Sequence, residues 1–351
     1  MDLADFDYDL PPEAIAQHPA SPRDAARLLV DDGAGGPTHR TVADLPSLVR
    51  PGDVVVVNTT RVLPARLRLR KQTGGAVEVL LLERTAAGPW EALVRPARRV
   101  RPGTRLVAGP DLTVVVGGDG TGDGTRLVDL EVPAGADVLD VLDRHGAVPL
   151  PPYITAPLDD PERYQTVFAD RPGSVAAPTA GLHLTPAVLD RCRAAGARVE
   201  AVDLVVGLGT FRPMEVDKVE DHHMHAERYR VPEATVAACH EARAAGGRVV
   251  AVGTTTVRAL ESAALSGALE GRTELFIHRP WPWRLVDVLM TNFHLPRSSL
   301  LVLVDAFVGP RWRELYAEAL GAGYRFLSFG DAMWLVRTEP GAGARAGEGS
   351  A

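Results

Sequence analysis

The stretch "ARLRLRK", residues 65–71, decides how this chain is divided. Its leucines and arginines alternate with the period of a strand that gives one face to a core and the other to water. Five short apolar segments follow at close spacing: "AVEVLLLE" (76–83), "WEALV" (90–94), "RLVA" (105–108), "LTVVVGG" (112–118) and "RLVDLEV" (126–132). Strands set this closely, with Gly, Pro and Asp at the turns, predict a small antiparallel barrel or sandwich. The loop "GGDGTGDGT" (117–125) has no side chain able to pack and is expected to form a flexible hairpin.

Outward from this block the period changes. "DVLDVLDRHG" reads as a helix. "PAVLDRCRAAG" and "PEATVAACHEARAAGG" read as helices followed by the strands "ARVEAVDLVV" and "RVVAVG". Helices are also expected over "TTTVRALESAALSG", "SSLLVLVDAFVG" and "RWRELYAEALGAG". Alternating helix and strand predicts an α/β layer or barrel. The simplest layout is a discontinuous α/β domain from residues 1–60 and 134–337, interrupted by a β domain at 61–133. The Gly/Ala-rich tail, 338–351, is expected to be disordered.

At 351 residues the chain is long enough for two cores. Cys192 and Cys239 fit neither a redox pair nor a zinc knuckle and should pack as small apolar groups. No segment reads as a membrane span. The acidic N-terminus lacks the basic start and apolar centre of a secretory signal, so a cytoplasmic protein is expected. The net charge of −7 argues against a surface that coats nucleic acid throughout, yet residues 61–106 carry eleven Arg or Lys against three Glu, a local charge of +8. The alternating arginines fit a solvated strand face or a phosphate-binding surface equally well.

Several loops sit where an α/β domain places its chemistry. In "VVAVGTTTVRALES" (249–262), Thr254, Thr255 and Thr256 open a helix behind Gly253, an arrangement that serves as an anion site or as an ordinary cap. Gly207 and Gly209 in "VVGLGTFRP" fall short of a dinucleotide fingerprint, and Pro213 stands where a phosphate-binding helix would continue. His183 and His294 each lie among small polar residues just before a helix, placed for proton transfer or for structure.

"VEDHHMHAERYRV" (219–231) holds His222, His223 and His225. No helix or strand brings all three to one face, and no cysteine is near, so a metal site is disfavoured. An orienting or acid/base cluster is the better functional reading, with Glu220, Asp221 and Glu227 setting the charge of the histidines.

Taken together, "FDYDLPPEAIAQHPASPRDAARLLV", "VVVVNTTRVLPARL", "VPLPPYI", "RYQTVFADRPGSVAAPTAGLHLT", "VGLGTF", "VEDHHMHAE", "VAVGTTTVRALES", "VDVLMTNFHLPRSSLLVLVDAFVG" and "YRFLSFGDAMWL" resemble, in order, the motifs of the S-adenosylmethionine:tRNA ribosyltransferase-isomerases of queuosine biosynthesis. The resemblance runs from about residue 6 to 336. It implies an α/β main domain, a distorted open barrel or layered sheet with helices, carrying an inserted small antiparallel β-barrel. It also implies transfer and isomerisation of the ribosyl part of S-adenosylmethionine onto 7-aminomethyl-7-deazaguanine at the wobble position of tRNA. Epoxyqueuosine-tRNA, adenine and methionine would be the products. S-adenosylmethionine is then a consumed substrate, with no cofactor or metal required, and a monomer is expected.

On this resemblance His183, His294, Asp221, His222 and His225 are the expected catalytic group. Arg258 is expected to pair with the methionine carboxylate, with Thr254 and Thr255 on the same group or the ribose. Asp287 and Asn292 are expected on the deazaguanine, and Arg61 on the RNA backbone. Thr179, Gly207, Gly209, Thr210 and Asp331 are further binding positions. Three residues depart from the family pattern: Thr59 stands for a second asparagine, Leu208 for a smaller residue, and Trp281 with Trp283 for a Pro-Gly-aromatic stretch. The last keeps open a relative with a different acceptor. A methyltransferase and a non-catalytic RNA-binding module are the readings from other classes.

Overall fold

The computed structural model describes residues 1–122, 124–207 and 213–337. Along the chain run β1 (Arg27–Asp31), β2 (Thr38–Thr41), β3 (Val54–Asn58), β4 (Thr60–Val62), β5 (Arg66–Lys71), β6 (Ala76–Arg84), β7 (Trp90–Arg95), β8 (Arg105–Val107), β9 (Thr113–Asp119) and β10 (Thr125–Glu131). Then come α1 (Val138–His145), β11 (Gly146–Ala147), β12 (Arg171–Ser174), α2 (Pro186–Ala194), β13 (Arg198–Leu204), β14 (Glu227–Arg230), α3 (Glu233–Ala244), β15 (Val249–Val252) and α4 (Thr254–Ser266). The last elements are β16 (Glu270–Thr273), β17 (Val288–Asn292), α5 (Ser299–Val308), α6 (Trp312–Gly321) and β18 (Ala332–Val336).

Nine strands form the main sheet in the order β16-β14-β13-β3-β15-β17-β18-β1-β2. Its centre, β13-β3-β15-β17, is parallel, so four carboxyl ends open on one edge. Strands covered on both faces must be apolar throughout, and "VVVV", "VVAV" and "VLM" are fully buried. The pleat sorts them. Val54 and Val56 enter a core with Cys239 of α3, Leu260 of α4, Leu303 of α5 and Trp312 of α6. Val55 and Val57 enter a second core on the opposite face with Val188 and Cys192 of α2. Both cysteines are buried and unpaired, and burial pushes their thiols up to about 11 and 12.

The insert is a closed antiparallel barrel. Strands β5, β6, β7, β10, β9 and β8 follow in order and β8 returns to pair with β5. Leu67 and Leu69 of "ARLRLRK" are buried inside, and Arg68 and Arg70 are exposed outside. The period of two fixed this face. Helix α1 and β11 follow residue 133, yet Val141 and Leu142 are buried in the barrel core and β11 pairs with β5. Residues 117–122, 124 and 125 of the expected hairpin have an anchor that their composition did not show. The Glu91 carboxylate pins them, accepting from the Gly122 N–H at 2.6 Å and the Thr125 hydroxyl at 2.5 Å. The anchor is a side chain on a neighbouring strand, outside the loop itself. No helix among the described residues is long and apolar enough to cross a membrane.

At the amino end of β3, buried Asp53 joins three segments. It accepts from the backbone N–H groups of Arg50 and Arg248, both at 2.9 Å, and from the Arg248 guanidinium at 2.6 Å. Removing one partner of such a pair leaves a buried charge uncompensated. Asp53→Ala should therefore lower the free energy of unfolding by about 3–5 kcal/mol in urea titration.

Candidate functional site

At the carboxyl ends of β15 and β17 lies a small pocket of about 50 Å³, lined by Thr179, Gly253, Thr254, Asn292, His294 and Ser298 among others. Ligands of open α/β sheets bind at this edge. Gly253 ends β15 at φ +89°, a conformation that a side chain would strain, and it caps α4 without a side-chain hydrogen bond. The first-turn N–H groups of α4 therefore face the pocket side unpartnered within the helix. Asn58, at the end of β3, donates to the Thr255 hydroxyl at 3.2 Å and to the Leu204 carbonyl at 3.0 Å. The Thr256 hydroxyl turns back to the Val252 carbonyl at 2.7 Å. Thr254 is buried, lines the pocket, and has no hydroxyl partner among the described residues. Thr255, which accepts from Asn58, keeps its O–H hydrogen, so Thr254 and Thr255 are both left able to donate to a ligand.

β17 supplies the opposite wall. Asn292 meets the Thr179 hydroxyl at 3.0 Å and His183 Nε2 at 2.9 Å. His294, two residues on, places Nε2 3.0 Å from the Thr291 hydroxyl. Its backbone is held at both polar atoms: the Tyr316 hydroxyl accepts from its N–H at 3.0 Å, and the Tyr8 hydroxyl donates to its carbonyl. Burial lowers the His294 imidazole to about 3. Burial also lowers His183 to about 4; nearby Asp331 opposes that shift, while Arg325 and Arg23 add to it. Both rings are neutral at pH 7.

Other expected residues lie elsewhere. Arg258 is buried and forms an ion pair with Glu227, while its Nε donates to the Leu275 carbonyl at 3.0 Å. Burial lowers it to about 10. Glu227 in turn accepts from the Gly207 N–H at 2.9 Å, so this pair anchors the end of β13 and is not available to a carboxylate ligand. Glu227 therefore serves Arg258 and Gly207, where the sequence had assigned it to the histidines. Asp287 precedes β17 at the opposite end from Asn292, about 16 Å away at strand spacing. It accepts from the Val249 N–H at 3.0 Å and from Arg337 at 3.3 Å, which makes it a strand-joining residue. Trp281 and Trp283 share that far end, donating to Glu261 at 3.3 Å and to the Ala306 carbonyl at 3.2 Å. Asp331 is buried, accepting from the N–H groups of Arg27 at 2.9 Å and Arg325 at 2.8 Å.

The "EDHHMH" cluster does not converge either. Asp221, His223 and His225 are exposed. His222 lies edge-on to Phe276 at 5.2 Å, and burial, with the neighbouring His225 and His223, lowers its pKa. Among the described residues no group of three metal-ligating side chains stands together. Leu208, Gly209 and Thr210 lie outside the described residues, as does the 338–351 tail. Asn58, Tyr8 and Tyr316 were not singled out from sequence. Asn58 meets Thr255 across 197 residues of chain and Tyr8 meets His294 across 286, while Tyr316 reaches His294 from a different element.

A second, larger space adjoins the pocket. A cleft of about 800 Å³ lies against the outer face of the barrel, with Arg61, Arg66, Arg68 and Arg95 on one side and the prolines of "VPLPPYI" on the other. Arg61 is paired with Glu162 at 2.5 Å. Pro152, Ile154 and Val175 line the cleft, whereas Tyr153 and Ala177 line the pocket. One thin wall divides the two.

An α/β sheet with polar groups at its parallel carboxyl ends, beside a barrel whose arginines line a larger cleft, is an architecture of the enzyme class, with its pocket at the sheet edge. A family model described as queuosine biosynthesis protein matches residues 3–335, and the chain belongs to that family. Similar proteins include the S-adenosylmethionine:tRNA ribosyltransferase-isomerases of Thermus thermophilus, 51% identical over 95% of this chain and 99% of that one, and of Symbiobacterium thermophilum, 50% identical over 96% and 100%. A crystal structure of S-adenosylmethionine tRNA ribosyltransferase from Thermotoga maritima matches with a TM-score of 0.54 and 38% identity, covering 95% of this chain and 100% of that one.

The buried histidines have a pH consequence. Their folded-state pKa values lie below the unfolded value of about 6.5, so the unfolded chain binds more protons as pH falls. Stability should be intact above about pH 6.5 and decline from there toward about 4 and then 3. Urea titrations at neutral and mildly acidic pH should show this loss, and it should shrink in His294→Gln.

Proposed function

We propose that this enzyme transfers and isomerises the ribosyl part of S-adenosylmethionine onto 7-aminomethyl-7-deazaguanine in tRNA, releasing adenine and methionine. The observation that carries the reading at the site is His294: a neutral, pocket-facing imidazole with its backbone held from both sides, at the carboxyl edge of a parallel sheet. The reaction needs a base for the carbon beside the sulfonium, and the sulfonium's charge already acidifies that carbon. A buried, neutral histidine is in the right protonation state to accept the proton. Thr254 and the first-turn N–H groups of α4 hold the methionine carboxylate, the role that Arg258 does not fill.

The pocket seats the reacting end of the substrate. The RNA approaches through the cleft, where Arg66, Arg68 and Arg95 offer cations to its backbone, and the target base leaves its stack and passes into the pocket, where its amine meets the ribosyl carbon. No cofactor is proposed. The ground for a different acceptor was the bulk of Trp281 and Trp283, and these lie at the far end of β17.

Incubation with S-adenosylmethionine and tRNA bearing the aminomethyl base should release adenine and methionine in step with a mass increase on the RNA. Formation of S-adenosylhomocysteine instead would refute this reading in favour of methyl transfer. His294→Ala should cut turnover by about 10²–10⁴ while the fold is retained. Thr254→Val should raise the KM for S-adenosylmethionine and leave tRNA binding unchanged.

A further inference from the structure

We infer that His183 is a positioning residue: held as the Nδ1–H tautomer, it locks the Asn292 amide so that Thr179 offers only lone pairs to the pocket and selects a ligand hydrogen-bond donor. The identity of that donor, a ribose hydroxyl of S-adenosylmethionine, rests on the function proposed above. The hydrogen-bond polarity does not.

The argument starts from two backbone carbonyls. Asn292 Nδ2 lies 3.2 Å from the Leu327 carbonyl and 3.4 Å from that of Asp331. Turning the amide over would press its oxygen against both, and neither can donate. The NH₂ group must therefore face them, and the same NH₂ meets His183 Nε2 at 2.9 Å. That nitrogen has to carry a lone pair, which leaves the ring proton on Nδ1. A protonated ring would aim a second N–H at the NH₂. Burial, aided by Arg325 and Arg23 and opposed by Asp331, also favours the neutral ring.

The polarity passes outward through the other end of the amide. Asn292 Oδ1 accepts from the Thr179 hydroxyl at 3.0 Å. A threonine hydroxyl has one hydrogen, and here it is committed to Asn292. Only acceptor capacity remains toward the pocket, which Thr179 and Asn292 line and His183 does not. The amide hydrogens of Asn292 are likewise directed inward, so Asn292 cannot donate to a purine edge. A proton carrier at His183 would have to reach substrate through this amide.

Three measurements on the full chain test the assignment. Long-range ¹H–¹⁵N spectra of the wild-type protein should show His183 as the neutral Nδ1–H tautomer between about pH 6 and 8, its signals identified by their loss in His183→Gln. An Nε2–H tautomer would overturn the proposal without any reference to catalysis. In kinetics, the amide oxygen that His183→Gln introduces can accept from Asn292. That variant should keep kcat within about tenfold of wild type with the same pH profile, whereas His183→Leu should lose about a hundredfold. If His183→Gln is as inactive as His183→Leu and one limb of the pH profile is lost, His183 moves a proton and the inference fails. Thr179→Val should raise the KM for S-adenosylmethionine about tenfold, Thr179→Ser should restore it, and a substrate analogue lacking the contacted hydroxyl should lose affinity in wild type but not in Thr179→Val. Equal losses in both proteins would remove Thr179 from hydroxyl recognition. Full turnover in His294→Ala would refute the function assigned to the pocket and leave the tautomer assignment to the spectra.

Discussion

A strand covered on both faces must send alternate side chains into two separate cores, and Val54 to Val57 meet that constraint with four β-branched residues in a row. Everything at the pocket depends on it. Because β3 is apolar to its end, its first polar side chain, Asn58, emerges at the carboxyl edge, where it ties β13 to the start of α4. The same rule applied to β15 and β17 brings Gly253, Asn292 and His294 out at that edge. Buried Asp53 ties the opposite end of β3.

The edge separates roles by polarity. At β17, Asp287 joins strands at one end and Asn292 faces the pocket at the other, although both are polar residues flanking one apolar run. Buried charges in this protein are committed to architecture: Arg258 and Glu227 to the end of β13, Asp331 to the turn that precedes β18, Glu261 to the N–H groups of Arg284, Leu285 and Val286. What faces the pocket is neutral: hydroxyls, an amide, an imidazole and helix-end N–H groups.

Most of the fold was legible in sequence because it follows from local period. The alternation of "ARLRLRK" placed Leu67 and Leu69 inside the barrel, and Gly253 marked the start of α4. The site was legible in part. His183, His294, Asn292, Thr179 and Thr254 do gather around one pocket, because each lies at an element end that a motif marks. Arg258 and Glu227 deceived for a physical reason: an arginine one turn into a helix looks available until the partner strand that buries it is in place. The histidine-rich segment misled similarly, since clustering in sequence gave exposure for His225 and a ring contact for His222, with no common centre. Asn58 gave no local signal, as its partners are a strand and a helix far along the chain.

The wall between cleft and pocket has a further consequence. Pro151 and Pro152 fix the backbone just before Tyr153, and Ile154 is seated in a satellite core with Tyr164, Leu182 and Phe329. Such a partition does not yield separately on its two sides. Tyr153, hydrogen-bonded to Ser328 at 2.7 Å, sits on the same short segment as its neighbours facing the cleft. If a filled cleft creates a preference in the pocket through this segment, it must appear, by reciprocity and at equal strength, as a preference of the cleft for a filled pocket.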